Sequence, residues 1–262
     1  MARVLAVTNQ KGGVGKTTTA INLAASLAAM KRRVLLVDID PQGNATMGSG
    51  IDKHEMKNST CEVLMGEATA AETIVKAGHG AGYDVMPGND DLTAASVELI
   101  NMQGRESRLK KALESTRPNY DYIFIDCPPS LSTLTVNALT AADSVLIPMQ
   151  CEYYALEGLS GLVRTVKQIR DAVNPRLRIA GILRTMFDPR NNLASDVSEQ
   201  LILHFGDKVY ATMVPRNVRL AEAPSYGVPV LLHDKASRGA LAYLALAGEL
   251  TRREEESTRA TA

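Results

Sequence analysis

The chain has 262 residues, with 29 Lys and Arg against 29 Asp and Glu, so its net charge by itself implies neither an anionic nor a cationic partner. It is long enough to bury the core of one large α/β domain, and no apolar run approaches the roughly 18 residues needed to span a bilayer. Three cysteines without C-x-x-C spacing fit reduced thiols in the cytoplasm, the start of the chain has no signal-peptide pattern, and the absence of Trp makes the core aliphatic.

Short aliphatic runs alternate with longer stretches of helical spacing. This is the signature of an α/β fold: a mostly parallel twisted sheet flanked by helices on both faces. The first strand is expected near 3–8. It runs into Asn9-Gln10-Lys11-Gly12-Gly13-Val14-Gly15-Lys16-Thr17-Thr18 and then a helix over 16–30. Strand, glycine loop and helix in this order make a phosphate cradle. The glycines let successive backbone N–H groups turn inward, and the helix N-terminus faces the same anion. Lys16 would reach the β- and γ-phosphates and the Thr17 hydroxyl would take a Mg²⁺ position. Gln10 stands where the general G-x-x-x-x-G-K-[ST] pattern has its first glycine, but the narrower K-G-G-x-G-K-[ST] form is met throughout.

The next strand, 33–38, ends on Asp38, with Asp40 two residues on. Both acids face one side if the strand continues, so spacing alone leaves open which of them would orient an attacking water. Gly48 to Gly82 is polar, glycine-rich and weakly periodic apart from a helix at 60–66, and reads as a mobile surface insertion. Strands follow at 83–86 and 121–126, with a helix at 104–116 between them. Asp126 closes an apolar run as a Walker B acid does, which places it in a Mg²⁺ shell. Pro128 and Pro129 stiffen the next residues into a switch segment, with Asp40 to Asn44 as its partner, and Cys127 reads as a small buried residue. Helices at 131–141, 156–173, 192–205 and 236–252 alternate with strands at 143–148, 178–186 and 208–214. The expected result is a single domain over 1–252, with 253–262 a disordered tail.

Charge is uneven along the chain. Between Ser160 and Leu220 there are ten Lys or Arg and five acids. Arg164, Lys167 and Arg170 share one side of a helix, and Arg184, Arg190, Lys208, Arg216 and Arg219 are expected on loops and strand ends. No helix-turn-helix or zinc pattern accompanies them.

Together the glycine loop, Val34-Leu35-Leu36-Val37-Asp38-Ile39-Asp40-Pro41-Gln42-Gly43-Asn44-Ala45-Thr46, Ile123-Phe124-Ile125-Asp126-Cys127-Pro128-Pro129-Ser130, Val214-Pro215-Arg216-Asn217-Val218-Arg219 and Glu222-Ala223-Pro224-Ser225 resemble the deviant Walker A ATPases. These P-loop NTPases include the ParA partition ATPases and the MinD division-site regulators. The resemblance covers nearly the whole chain and is nearest to the chromosomal ParA type. It implies slow hydrolysis of ATP with Mg²⁺, held by Lys11, Gly12, Gly13, Val14, Gly15, Lys16, Thr17 and Thr18, with Pro215 and Asn217 at the adenine and Thr17 and Asp126 at the metal.

Lys11, Lys16 and Asp40 would be catalytic. In the resemblance Asp40 positions the water, and Lys11 reaches across an ATP-dependent homodimer to the partner's phosphates. Arg190 and Arg219 match positions that contact double-stranded DNA non-specifically, and the activating partner would be a ParB-class centromere-binding protein. The implied location is cytoplasmic and nucleoid-associated, with no membrane. A MinD-like membrane ATPase is the alternative, but the charged, small C-terminal residues do not make a basic amphipathic anchor. The start of the first strand so near the N-terminus suggests no separate operator-reading domain.

Overall fold

The computed structural model describes residues 2–261, with side chains through Glu256. Its strands are β1 (Arg3–Val7), β2 (Val34–Asp38), β3 (Val75–Lys76), β4 (Asp84–Met86), β5 (Tyr122–Asp126), β6 (Ser144–Met149), β7 (Arg178–Phe187) and β8 (Val209–Pro215). They form one eight-stranded sheet in the order β3-β4-β2-β5-β1-β6-β7-β8. Every pairing is parallel except β3 with β4.

The helices are α1 (Lys16–Ala29), α2 (Asn44–Met47), α3 (Thr60–Met65), α4 (Ala70–Thr73), α5 (Leu92–Glu98), α6 (Arg108–Leu113), α7 (Thr133–Ala141), α8 (Ala155–Ala172), α9 (Asn192–Phe205), α10 (Val218–Glu222), α11 (Val230–His233) and α12 (Arg238–Thr261). The period-two alternation of the strands divides them into two layers. Val4, Ala6, Leu35 and Ile125 pack with Leu64, Leu109, Leu134 and Leu162 on one face. Leu5, Val7, Leu36 and Phe124 pack with Leu23, Leu27, Tyr243 and Leu246 on the other. A sheet buried on both faces explains why β1, β2 and β5 read as unbroken apolar runs.

Two expectations are corrected. The segment from Gly48 to Gly82 is not a surface insertion. It is most of the crossover that two parallel neighbours, β2 and β4, require. Thr60 and Leu64 are fully buried within it. Two capping boxes fix its short helices: Ser59 with Glu62 starts α3, and Thr69 with Glu72 starts α4. The S/T-x-x-E spacing of both was legible in the sequence.

The second correction concerns the C-terminus, where α12 continues past Leu250 instead of fraying at Arg253. Arg253 donates to the backbone oxygens of Asp207 (2.6 Å) and Val209 (2.8 Å), and Glu254 pairs with Arg3 at 3.3 Å. One turn earlier, Glu249 accepts the backbone N–H groups of Ala211 and Thr212 in β8, each at 2.8 Å. Side chains from Ser257 onward in the expected tail lie outside the described residues.

Candidate nucleotide site

β1 lies between β5 and β6, so the glycine loop emerges from the middle of the sheet. Register places Val7 beside Asp126, and Asp126 beside Asp38. The carboxyl ends of three neighbouring strands therefore bring the loop and both acids together, where open α/β sheets collect ligands.

Gly13 and Gly15 have φ of +73° and +86°, a region that L side chains rarely adopt. Gly15 caps α1 without a side-chain hydrogen bond, so the first-turn N–H groups are directed toward an anion. A Cβ at Gly12 would meet nothing within 4 Å, leaving the loop open where a ligand or another chain would approach.

Residues far along the chain hold the loop in place. Asn9 accepts the Lys11 N–H (3.0 Å) and donates to the Pro148 carbonyl (2.8 Å). Gln150 donates to the Gly13 carbonyl (3.3 Å), and Thr185 donates to that of Val14 (2.8 Å). Buried Lys16 donates to the Lys11 carbonyl at 3.2 Å. Desolvation pulls the Lys16 pKa down, against the charges of Asp126 and Asp40. The Lys11 ammonium instead forms an ion pair with Glu152, each side chain about half exposed.

The acids are held differently. Asp38 accepts the Thr46 N–H (2.8 Å), the Thr46 hydroxyl (2.7 Å) and the Asp40 N–H (3.2 Å). Burial outweighs these bonds and pushes its pKa up to about 6. The Thr46 hydroxyl in turn accepts the Gly88 N–H at 2.8 Å, tying α2 to the residues that follow β4. Asp40 is 7% exposed and accepts the Gln42 N–H at 3.0 Å.

Asp126 accepts the Thr17 hydroxyl on Oδ2 at 2.7 Å, while its buried Oδ1 has no hydrogen-bond partner among the described residues. Burial, then the neighbouring Asp38 charge, raises its pKa well above the usual carboxylate range. An unpartnered buried oxygen beside a threonine hydroxyl fits a hard divalent cation held by oxygen ligands and water.

Pro215 and Asn217 line a cleft of about 170 Å³ with Gly15, Thr18, Thr185 and Met186. Asn217 Oδ1 caps α10 by accepting the Leu220 N–H (3.2 Å). The site therefore gathers the glycine loop, Lys11, Lys16, Thr17, Thr18, Asp40 and Asp126, with Pro215 and Asn217 at one side.

Arg190 and Arg219 do not line that cleft. Arg190 is exposed and chelated by Asp188 (2.7 Å), whose own pKa this lowers to about 2. Arg219 pairs with Glu222 (2.8 Å) and Asp234 (3.5 Å). Arg184, expected on the surface, is 6% exposed and belongs to the interior, where it donates to the Ser198 hydroxyl (2.8 Å) and the Tyr210 carbonyl (2.7 Å). Among the described residues no helix is long and apolar enough to cross a membrane.

The AAA_31 model, an AAA domain, matches residues 2–179. The sporulation initiation inhibitor protein Soj of Bacillus subtilis is 55% identical over 250 residues, covering 95% of this chain and 98% of that one. The chromosome partitioning protein ParA of Caulobacter vibrioides is 53% identical over 256 residues, covering 97% and 96%. Among solved structures, a Mycobacterium smegmatis protein described as a cobyrinic acid a,c-diamide synthase, with bound ADP and magnesium, superposes with a TM-score of 0.86. It shares 38% identity, covering 98% of this chain and 97% of that one. Loop, acids, sheet order and full-length relatives agree: the chain belongs to the AAA_31 family and, within it, to the Soj/ParA chromosome-partitioning ATPases.

Proposed function

We propose that this chain is the ATP-driven switch of a DNA-partitioning system, in which ATP with Mg²⁺ joins two copies into a sandwich dimer that binds duplex DNA without sequence preference. One observation carries the nucleotide reading: the unpartnered Asp126 Oδ1 beside the Thr17 hydroxyl, under a glycine loop that opens from the centre of the sheet. Mg²⁺, when bound, would neutralise phosphate charge there. Thr17 and Asp126 hold its place, Lys16 and the α1 N-terminus receive the phosphates, and Pro215 and Asn217 flank the adenine. Asp40 orients the attacking water, because Asp38 already spends both its oxygens on Thr46 and the Asp40 N–H.

The Lys11 ammonium sits at the surface, half exposed and paired with Glu152, which supports its serving a second copy's phosphates. A cation added across an interface in this way is worth about 10³–10⁵ in rate in other NTPases. Arg190 and Arg219 would contact DNA phosphates, doubling in number in the dimer, and a ParB-class partner would stimulate hydrolysis and return the chain to monomers. The working location is cytoplasmic, on the nucleoid. Burial of Tyr243, Leu246 and Leu250 against the sheet counts against α12 as a membrane anchor. The partition reading leans on relatives at 53–55% identity, above the 38% shared with the synthase-named structure.

The test is binding to random-sequence duplex DNA with ATP, ADP or no nucleotide across a salt series, using Asp40→Ala to hold the bound state. Tight, salt-steep binding only with ATP supports the reading. No binding in any state, with ATP-dependent dimerisation intact, removes DNA from it. Lys11→Ala is expected to abolish dimerisation while leaving monomer nucleotide binding intact.

A further inference from the structure

The segment between β6 and α8 touches the glycine loop twice. Gln150 donates to the Gly13 carbonyl at 3.3 Å, and two residues later the Glu152 carboxylate takes the Lys11 ammonium. Cys151 between them is buried, so the segment is anchored where it makes these contacts. The backbone of Lys11 is fixed as well, through its N–H to Asn9. Tyr153 and Tyr154 follow at once, 74% and 73% exposed and packed edge to face, so an apolar surface borders the ion pair on the face where a second copy would meet Lys11.

We propose that Glu152 is a positioning residue that holds Lys11 within its own subunit and thereby sets the threshold for ATP-dependent dimerisation. The inference rests on the cross-subunit reading of Lys11. In a single subunit the ammonium is committed to Glu152, and to reach a second copy's phosphates it must leave that carboxylate. The competition is weak by construction, because both side chains are about half exposed and ion pairs of that kind are screened by water and salt. Each latch therefore costs association up to about fivefold, and the two latches of a dimer together up to about 25-fold. A buried pair would have locked the chain as a monomer. An exposed one leaves an equilibrium that nucleotide can tip.

The experiment is sedimentation equilibrium of wild type, Glu152→Gln and Lys11→Ala with a non-hydrolysable ATP analogue and magnesium, at low and high salt. Glu152→Gln is expected to tighten dimerisation by about 2- to 25-fold at low salt, with monomer nucleotide affinity and unfolding midpoint unchanged. The gap to wild type is expected to close as salt rises, which a merely structural role would not produce. Unchanged or weaker dimerisation in Glu152→Gln, with Lys11→Ala monomeric, overturns the latch and leaves the cross-subunit lysine standing. Normal dimerisation of Lys11→Ala removes the reading beneath both.

Discussion

Asp38 and Asp126 are register partners on adjacent parallel strands, both fully buried, yet Asp38 accepts three hydrogen bonds and Asp126 one. The burial of Asp38 makes the nucleotide-free protein sensitive to pH. The Asp38 pKa of about 6 in the fold lies above the roughly 3.9 of an unfolded carboxyl, so its proton stabilises the fold fully at low pH and the contribution is lost as pH rises toward 6. Relative to Asp38→Asn, the unfolding free energy is expected to fall by up to about 1.4 kcal/mol per pH unit between about 4 and 6. Urea denaturation at fixed ionic strength reads the difference, and a flat profile would contradict it.

Thr17→Val keeps the shape of the side chain and removes the donor to Asp126. It is expected to cost the nucleotide-free protein about 1–3 kcal/mol, because a buried carboxyl group then loses its hydrogen-bonded threonine. Isothermal titration with ATP should also lose its dependence on Mg²⁺. A variant as stable as wild type would mean that water replaces the hydroxyl.

Arg219 is held by Glu222 and Asp234, so part of its charge is spent inside the chain. Arg219→Glu is expected to lose DNA retention while still dimerising. Glu222→Gln is expected to act in the opposite direction, tightening DNA binding and steepening the log affinity–log salt slope by up to about 0.9 per subunit. Filter binding across a salt series measures both. A slope unchanged in Glu222→Gln would show that Arg219 does not meet phosphate.

Two glycines in helices should respond oppositely to alanine. At Gly239 a Cβ would lie 2.6 Å from Leu220 Cγ and 3.1 Å from Asn217 Oδ1, so the substitution pushes on the Asn217 loop. It is expected to cost about 1–3 kcal/mol of stability and to weaken nucleotide binding. At Gly158, within α8, nothing lies within 4 Å of a new Cβ. There alanine is expected to add about 0.4–1 kcal/mol through the chain's lower unfolded-state entropy and better helix propensity. Thermal melts and ATP titration of the two variants separate the effects.

The loop and its acids were legible because their chemistry is contiguous: glycines, Lys16 and Thr17 in one run, and Asp38 and Asp126 each ending an apolar strand. What supports the loop was not. Gln150, Glu152 and Thr185 reach it only because the sheet order puts β6 beside β1 and β7 beside β6, and no local pattern announces that order. Arg184 misled for a related reason. A cation in a strand reads as surface until the Tyr210 carbonyl and Ser198 hydroxyl are seen to enclose it. The crossover from Gly48 to Gly82 was obscured by its glycines, although its two capping boxes were written plainly.

The clamp of α12 on β8 has a consequence for how the molecule keeps company. An outermost strand ordinarily offers unsatisfied backbone groups to any passing chain, and so templates fibres and swapped dimers. Here Glu249 occupies the N–H groups of Ala211 and Thr212, and Arg253 the carbonyl of Val209, so that border is capped by side chains of the same polypeptide. At the opposite border β3 is two residues long, too brief a template to extend. Both borders of the sheet are therefore poor templates for strand addition, one covered in part by side chains of α12 and the other only two residues long, so edge-to-edge growth of the sheet is disfavoured at either end.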